Sequence, residues 1–397
     1  MTIEAVYYAY LAGNCTDHPT MSMFHDEFDH APGLRYLNHA AIAPWPRRAA
    51  EAVARFARDN VCLGASEYPS WLATERRLRA RLARLIHAPS PGDIALVKNT
   101  SEGLSLVAFG LDWAAGDQVV ISDEEFPSNR VVWEALADRG VQVIEANLAG
   151  PDPEATLLTT CGPRTRLLAV SAVQFGSGLR LDLARLGEGC RARNVLFCID
   201  AIQQVCALPF DVQRFQCDFA VADGHKWMLG PEGLGMFYCR AALRPQLELN
   251  AYGWHMLEHL GDFDRRQWQP AHSARRFECG SPNMLGAHAL EASLSLLEEV
   301  GIGTVAQQLQ QRVAQLYEGL ASVPGVVLHT PADPDRRAGI VTFSIKGQAS
   351  VDIHKALMAE RTICALRGGG VRFSPHFYTS EQLIDETVQQ VRRLAMH

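Results

Sequence analysis

Lysine is the scarcest charged residue of this chain. Among 37 basic residues only four are lysines, Lys98, Lys226, Lys346 and Lys355; the rest are arginines. Any chemistry that needs an amine therefore has four candidates. The ten cysteines are scattered and contain no Cys-x-x-Cys pair. That removes zinc-ligand spacing and makes a disulfide framework unexpected in so long a chain, so reduced thiols, no metal and a cytoplasmic protein are expected. No apolar run reaches the roughly 18 residues of a membrane span. The opening Met1-Thr2-Ile3-Glu4-Ala5 lacks the basic flank of a secretory signal. A basic excess is missing as well: the net charge is −7, so no cationic field is available for a nucleic-acid backbone. No Gly-x-Gly-x-x-Gly follows the early strands, which argues against a dinucleotide dehydrogenase.

What is present points to a folded protein. The chain has 397 residues, 48% hydrophobic and 20% charged, enough for two domains and too apolar for disorder. We expect an N-terminal extension over residues 1–30, a large domain over 31–283 and a smaller α+β domain over 284–397. Tyr36 to Ala41 reads as a short strand entering a loop, followed by helices over 47–60 and 71–87. Short apolar runs then alternate with helical stretches: Ile94 to Val97, Val119 to Ile121, Val141 to Ile144, Leu167 to Val173, Val195 to Ile199, Phe219 to Ala222 and Leu234 to Tyr238, with one helix expected over Ser128 to Arg139. Such alternation predicts an α/β fold with a mostly parallel sheet covered on both faces. Beyond residue 284, two long helices (285–300 and 304–320) precede strands at 326–328, 340–345 and near Val371, and helices near 351–360 and from Ser380.

Ligands of these sheets bind beyond the carboxyl ends of the strands, so the residues following each strand carry the chemical reading. Lys226 follows an apolar strand between His225 and Trp227; desolvation there disfavours the ammonium and leaves an amine able to form a Schiff base. Asp200 ends the apolar run Cys198-Ile199-Asp200. A carboxylate in that place needs a cation, and a protonated pyridine nitrogen would serve, although capping the next helix would serve as well. Thr100 and Ser101, at the start of a helix after Lys98-Asn99, offer hydroxyls and backbone N–H groups to a phosphate.

Taken together, the cradle, the strand-end carboxylate and the desolvated lysine resemble the class V aminotransferase family of fold-type I pyridoxal-phosphate enzymes. That group includes cysteine desulfurases, isopenicillin-N-epimerase-like proteins and kynureninases. The resemblance runs from roughly residue 34 to residue 390. It implies a seven-stranded type of sheet in the large domain and pyridoxal 5′-phosphate as cofactor. It also implies Lys226 as the Schiff-base lysine, Asp200 on the ring nitrogen, Gln203 on the ring hydroxyl, and His225, Thr100 and Ser101 on the phosphate. Phe126, in Ile121 to Asn129, matches the residue laid over the cofactor ring, where cysteine desulfurases carry a histidine. Ser281, in Phe277 to Asn283, matches a loop that reaches the neighbouring subunit's phosphate, which implies a homodimer. Arg372 matches the arginine that holds a substrate α-carboxylate, and Asn38 and His39 the N-terminal loop that closes on the substrate; His39 suits loop structure better than acid–base work.

One departure stands out. Cysteine desulfurases present a cysteine on a loop shortly before that arginine; here Arg367-Gly368-Gly369-Gly370-Val371-Arg372 holds none, and Cys364 lies upstream on an expected buried strand. A glycine-rich, mobile loop without a thiol is expected. The function implied is conversion of an α-amino acid through a lysine Schiff base and an α-carbanion, ending in transamination, epimerisation or β-elimination. A true cysteine desulfurase and a non-catalytic cofactor-binding scaffold are the alternatives. Specificity is expected in residues 251–273, rich in Trp and His.

Overall fold

The protein is described from a computed structural model covering Phe24 and residues 26–396. The expected N-terminal extension therefore falls largely outside the described residues. Strand β1 (Arg35–Tyr36), helices α1 (Arg47–Leu63) and α2 (Tyr68–Leu85), β2 (Ile94–Val97), α3 (Thr100–Gly110), β3 (Gln118–Ser122), α4 (Ser128–Glu134), β4 (Gln142–Ala146), α5 (Pro153–Thr160), β5 (Thr165–Ser171), α6 (Leu183–Arg193), β6 (Leu196–Asp200), β7 (Phe219–Asp223) and β8 (Gly235–Cys239) follow in order. The main sheet has seven strands in the order β2-β8-β7-β6-β5-β3-β4. Only β8 runs against its neighbours, pairing antiparallel with β2 and β7; the other pairs are parallel. Consequently β2, β3, β5, β6 and β7 all end on one edge, and the residues after them share a rim.

Double coverage explains why the strands are apolar without alternation. Val120, Leu168, Phe197, Ile199, Ala220 and Ala222 belong to one buried cluster with Leu78 and Leu82 of α2. Their neighbours Val119, Leu167, Cys198, Phe219 and Val221 belong to a second, with Leu104 and Val107 of α3 and Trp133 of α4. Successive residues of each strand thus face opposite helix layers. The helix expected over Ser128 to Arg139 is shorter: α4 stops at Glu134 and a 3₁₀ turn, Ala137–Arg139, leads to left-handed Gly140. Helices α5 and α6 were not foreseen; Asp152 and Asp182 cap them by accepting N–H bonds from Ala155 and Arg185.

The chain continues with α7 (Met284–Val300), α8 (Ile302–Ala321), β9 (Val326–Leu328), β10 (Val341–Ile345), α9 (Ser350–Ala359), β11 (Thr362–Ile363), β12 (Ala365–Arg367), β13 (Gly370–Phe373) and α10 (Glu381–Ala395). A four-stranded antiparallel sheet runs β12-β13-β10-β9. Two segments cross the division expected at residues 283/284. Helix α7 packs on α1 and α2, and β1 pairs in parallel with β11. No described helix is long and apolar enough to cross a membrane.

The loop expected to be mobile is a tight hairpin. Arg367 pairs with Gly370, so only Gly368 and Gly369 form the turn, at φ 57° and 77°. Two successive positive φ values are the geometry of a type I′ turn, which glycine adopts without strain.

Trp133 is fully buried and donates from Nε1 to Asn129 Oδ1 at 2.9 Å. Trp133→Ala is expected to cost about 3–5 kcal/mol of folding stability, measured by denaturant unfolding. A loss below about 1 kcal/mol would show that the helix layer repacks freely around the gap.

Candidate active site

The rim is built from strand ends. Asp200 closes β6 and is buried. Its Oδ1 accepts from the Ile202 N–H at 3.1 Å; Oδ2 has no hydrogen-bond partner among the described residues. Burial lifts the Asp200 pKa, while the charge of Lys226 pulls against it. Lys226 follows β7 and is partly exposed. Burial of its amine lowers its pKa, Asp200 raises it, and Arg372 and Arg367 lower it further. Trp227 anchors the next position: fully buried, it donates to Gln203 Oε1 at 2.8 Å. Gln203 spends one N–H on Ala40 O at 3.0 Å; its amide nitrogen carries a second. His225 Nδ1 lies 3.1 Å from Asp223 Oδ1.

Asn99 caps α3 by accepting from the Glu102 N–H. Thr100 Oγ1, just inside the helix, is buried and has no partner, and Ser101 donates to Ser128 Oγ at 2.8 Å. Asn38 Oδ1 is likewise buried without a partner. Unpaired buried polar atoms cost free energy unless a ligand satisfies them. Phe126 leaves its ring partly exposed, with the Lys226 amine 5.7 Å from its centroid. Phe175 meets it edge-on at 5.2 Å.

Arg372 comes from the second sheet. It is buried and donates from Nη1 to Phe175 O at 2.7 Å, while its Nε has no partner. No carboxylate pairs with it among the described residues, and burial lowers its pKa to about 10. A buried guanidinium without a counter-ion is costly, and it suits an anion brought by a ligand.

The residues present fit pyridoxal phosphate: an orphaned hydroxyl at a helix N-terminus, a carboxylate with a free oxygen, an amide N–H to spare and a desolvated amine share one rim. The Aminotransferase class-V family model matches residues 35–382. The chain belongs to the class V aminotransferase family. It is a pyridoxal-phosphate-dependent enzyme of the α/β, fold-type I architecture expected from its sequence. Among class V relatives, a probable cysteine desulfurase of Methanothermobacter thermautotrophicus is 30% identical over 90% of this chain and 94% of its own. A cysteine desulfurase of Escherichia coli is 31% identical over 81% of this chain and 80% of its own. Among solved structures, the cystine C–S lyase C-DES with its product cysteine persulfide has a TM-score of 0.84 and 25% identity, covering 91% of this chain and 98% of its own. The Escherichia coli cysteine desulfurase CsdA has a TM-score of 0.85 and 23% identity, covering 95% and 98%.

One expected site residue is engaged elsewhere. His39 was expected beside the substrate with Asn38, yet its ring is fully buried and both nitrogens are occupied: Nδ1 lies 2.9 Å from Ser374 O and Nε2 2.7 Å from Tyr378 Oη. It therefore ties the N-terminal strap to the second sheet and has no atom left for a substrate. Ser281, expected at the neighbouring subunit's phosphate, is exposed just before α7, where Asn283 makes the cap, and no side-chain hydrogen bond engages it among the described residues.

Sequence reading missed Glu125. It is fully buried and accepts from Ser122 Oγ, Asn129 Nδ2 and the Ser171 N–H and hydroxyl, joining β3, α4 and β5 beneath the rim. It also missed the buried group Glu75, His255 and Glu278, where Arg79 bonds both carboxylates. The contacts of Ser171 with Glu125 and of Arg79 with Glu278 are tertiary, and no local spacing signals them.

His376 supports the segment behind Lys226. Its Nε2 lies 3.3 Å from Trp227 O and its Nδ1 accepts from the Phe377 N–H at 2.9 Å, so the neutral ring satisfies both. Burial holds its pKa down at about 3, against about 6.5 unfolded. The stability it contributes is complete above the unfolded value and is lost as pH falls from there towards the folded one. Between pH 6 and 4 the wild type should lose up to about 1.4 kcal/mol per pH unit more than His376→Gln, measured by urea unfolding. Parallel profiles would assign the acid sensitivity elsewhere.

Proposed function

We propose that this enzyme cleaves an α-amino acid by β-elimination and releases the leaving group to solution. The observation that carries this reading is the Gly368–Gly369 hairpin turn. A two-residue turn has no position for a thiol that could carry sulfur away. Cys364 is the nearest cysteine in sequence; it is buried between β11 and β12, and burial pushes its thiol up to about 12. A thiol so protonated is a poor acceptor.

Pyridoxal phosphate, when bound, supplies a conjugated ring that accepts the electron pair left at Cα. The residues of the chain do the rest. Asp200 would hold the ring nitrogen protonated, Gln203 would donate to the ring hydroxyl, and Thr100, Ser101 and His225 would hold the phosphate. Arg372 grips the substrate α-carboxylate in two parallel bonds. Asn38 lines the substrate side. Lys226, its amine kept partly neutral by burial, takes the α-proton. As the Cβ–leaving-group bond breaks, its electron pair departs with the leaving group and the pair freed from the Cα–H bond forms the Cα=Cβ bond. Phe126 packs over the ring and has no proton to give, so the departing group is protonated by the Lys226 ammonium or by water. The active unit in this reading is a homodimer, with Ser281 donating to the neighbouring subunit's phosphate. The relatives named as desulfurases and the C–S lyase favour a sulfur-bearing substrate over transamination or epimerisation.

Borohydride treatment should fix the cofactor to Lys226, found by peptide mapping, and Lys226→Ala should abolish the adduct; an adduct at Lys98, Lys346 or Lys355 would overturn the assignment. Arg372→Ala should weaken amino-acid binding by about 1.5–3 kcal/mol or more while cofactor binding persists.

Cysteine desulfurase activity is the competing reading, favoured by the relatives' names. Mass mapping after incubation with L-cysteine should find no persulfide on Cys364, and Cys364→Ser should retain turnover. A persulfide there, with turnover lost in the variant, would replace elimination by sulfur transfer.

A further inference from the structure

Arg372 is not the only cation on its sheet face. In the β12–β13 hairpin Ala365 stands opposite Arg372, and Arg367 opposite Gly370. Opposed residues of an antiparallel pair share a face, and Arg367 lies two positions from Ala365, so Arg367 and Arg372 are diagonal neighbours on one face. The turn between them is pressed onto the rim. A Cβ on Gly176 would come within 3.1 Å of Gly368 Cα, and the adjacent Phe175 accepts from Arg372 and packs on Phe126 above Lys226. Arg367 is also a charged group felt by both Arg372 and Lys226. Neither arginine has a carboxylate partner among the described residues, although many of the chain's other arginines do. Arg367 is exposed and spends only one N–H, on the adjacent Leu366 O at 2.8 Å. Two like charges in diagonal contact oppose folding, and an anion between or beside them would relieve that.

We propose that Arg367 is a second anion-binding residue of the substrate site, so that the substrate is an α-amino acid whose side chain ends in a carboxylate or comparable anion. This deepens the elimination reading and rests on it: Arg372 holds the α-carboxylate, and Arg367, nearer the solvent end of the hairpin, holds the distal group. A side chain long enough to reach from Cβ to the hairpin turn places the scissile bond over Lys226 and its charge at Arg367.

The test compares two thioethers that differ only in distal charge, S-carboxymethyl-L-cysteine and its amide, S-carbamidomethyl-L-cysteine. Their affinities for the holoenzyme are read from the change in cofactor absorption. The acid should bind at least tenfold tighter than the amide; Arg367→Gln should bring the ratio close to one, and Arg367→Lys should keep part of it. A wild-type ratio below two, or a ratio unchanged in Arg367→Gln, overturns the proposal. A second readout does not depend on catalysis: glutarate should raise the melting temperature of the purified wild-type protein more than butyrate does, and Arg367→Gln should lose that difference. If no amino acid perturbs the cofactor while glutarate still discriminates, the elimination reading fails and the anion site stands. If the cofactor responds to amino acids but neither comparison depends on Arg367, the anion site alone falls.

Discussion

Bringing three desolvated ionisable groups together, two from the rim of the main sheet and one from the second sheet, is the constraint on which this molecule depends. Lys226, Asp200 and Arg372 are each shifted by burial toward their neutral forms, Asp200 at the end of β6, Lys226 just beyond β7 and Arg372 on β13. The lysine and the carboxylate compensate one another. The guanidinium is compensated by a single carbonyl, that of Phe175. Such an imbalance is expensive in a core and useful in a site, because a ligand bringing one carboxylate and one electron-accepting ring restores the balance.

The second sheet is held against this edge by a short strap. Leu37 N–H bonds Ile363 O, Ser374 N–H bonds Leu37 O, and Ala43 N–H bonds His225 O. The strap therefore connects β11, the end of β13 and the residue before the lysine. His39, Trp227, His376 and Tyr378 stack around it, and their ring nitrogens and hydroxyl are spent on one another, on carbonyl oxygens or on the Phe377 N–H. A displacement of the strap would move Arg372 and Lys226 relative to each other, and geometry at the ångström scale governs rates in such sites. His39 thus matters for position, even though no atom of it meets the substrate.

Arginine serves two purposes in this chain. On α2 and α7 it stitches helices together, Arg81 to Glu291 and Arg84 to Glu298, contacts whose exposed members contribute little. On β12 and β13 it stands without carboxylates. Composition alone does not separate these uses; the difference lies entirely in what the fold sets opposite each side chain.

The sequence singled out Lys226 among four lysines by its setting, between His225 and Trp227 beyond an apolar strand, and the structure brings its amine close enough to Asp200 to feel that charge. Asp200 and Thr100 were legible for the same reason: strand ends of a doubly covered sheet face the ligand side, and those residues end or follow strands. The parallel sheet followed from uninterrupted apolar runs, since both faces are buried. The burial of Glu125 was not legible, because Ser171 and Gln174, which donate to it alongside the nearby Ser122 and Asn129, lie more than 40 residues away. Nor was the engagement of His39, whose partners lie more than 300 residues away. The hairpin at Gly368–Gly369 and the diagonal placement of Arg367 and Arg372 across it were decided by register. Register is a tertiary property: shifting one strand by one residue would send its arginine to the opposite face, away from the other, and nothing in the local sequence forbids that until the second sheet docks on the first.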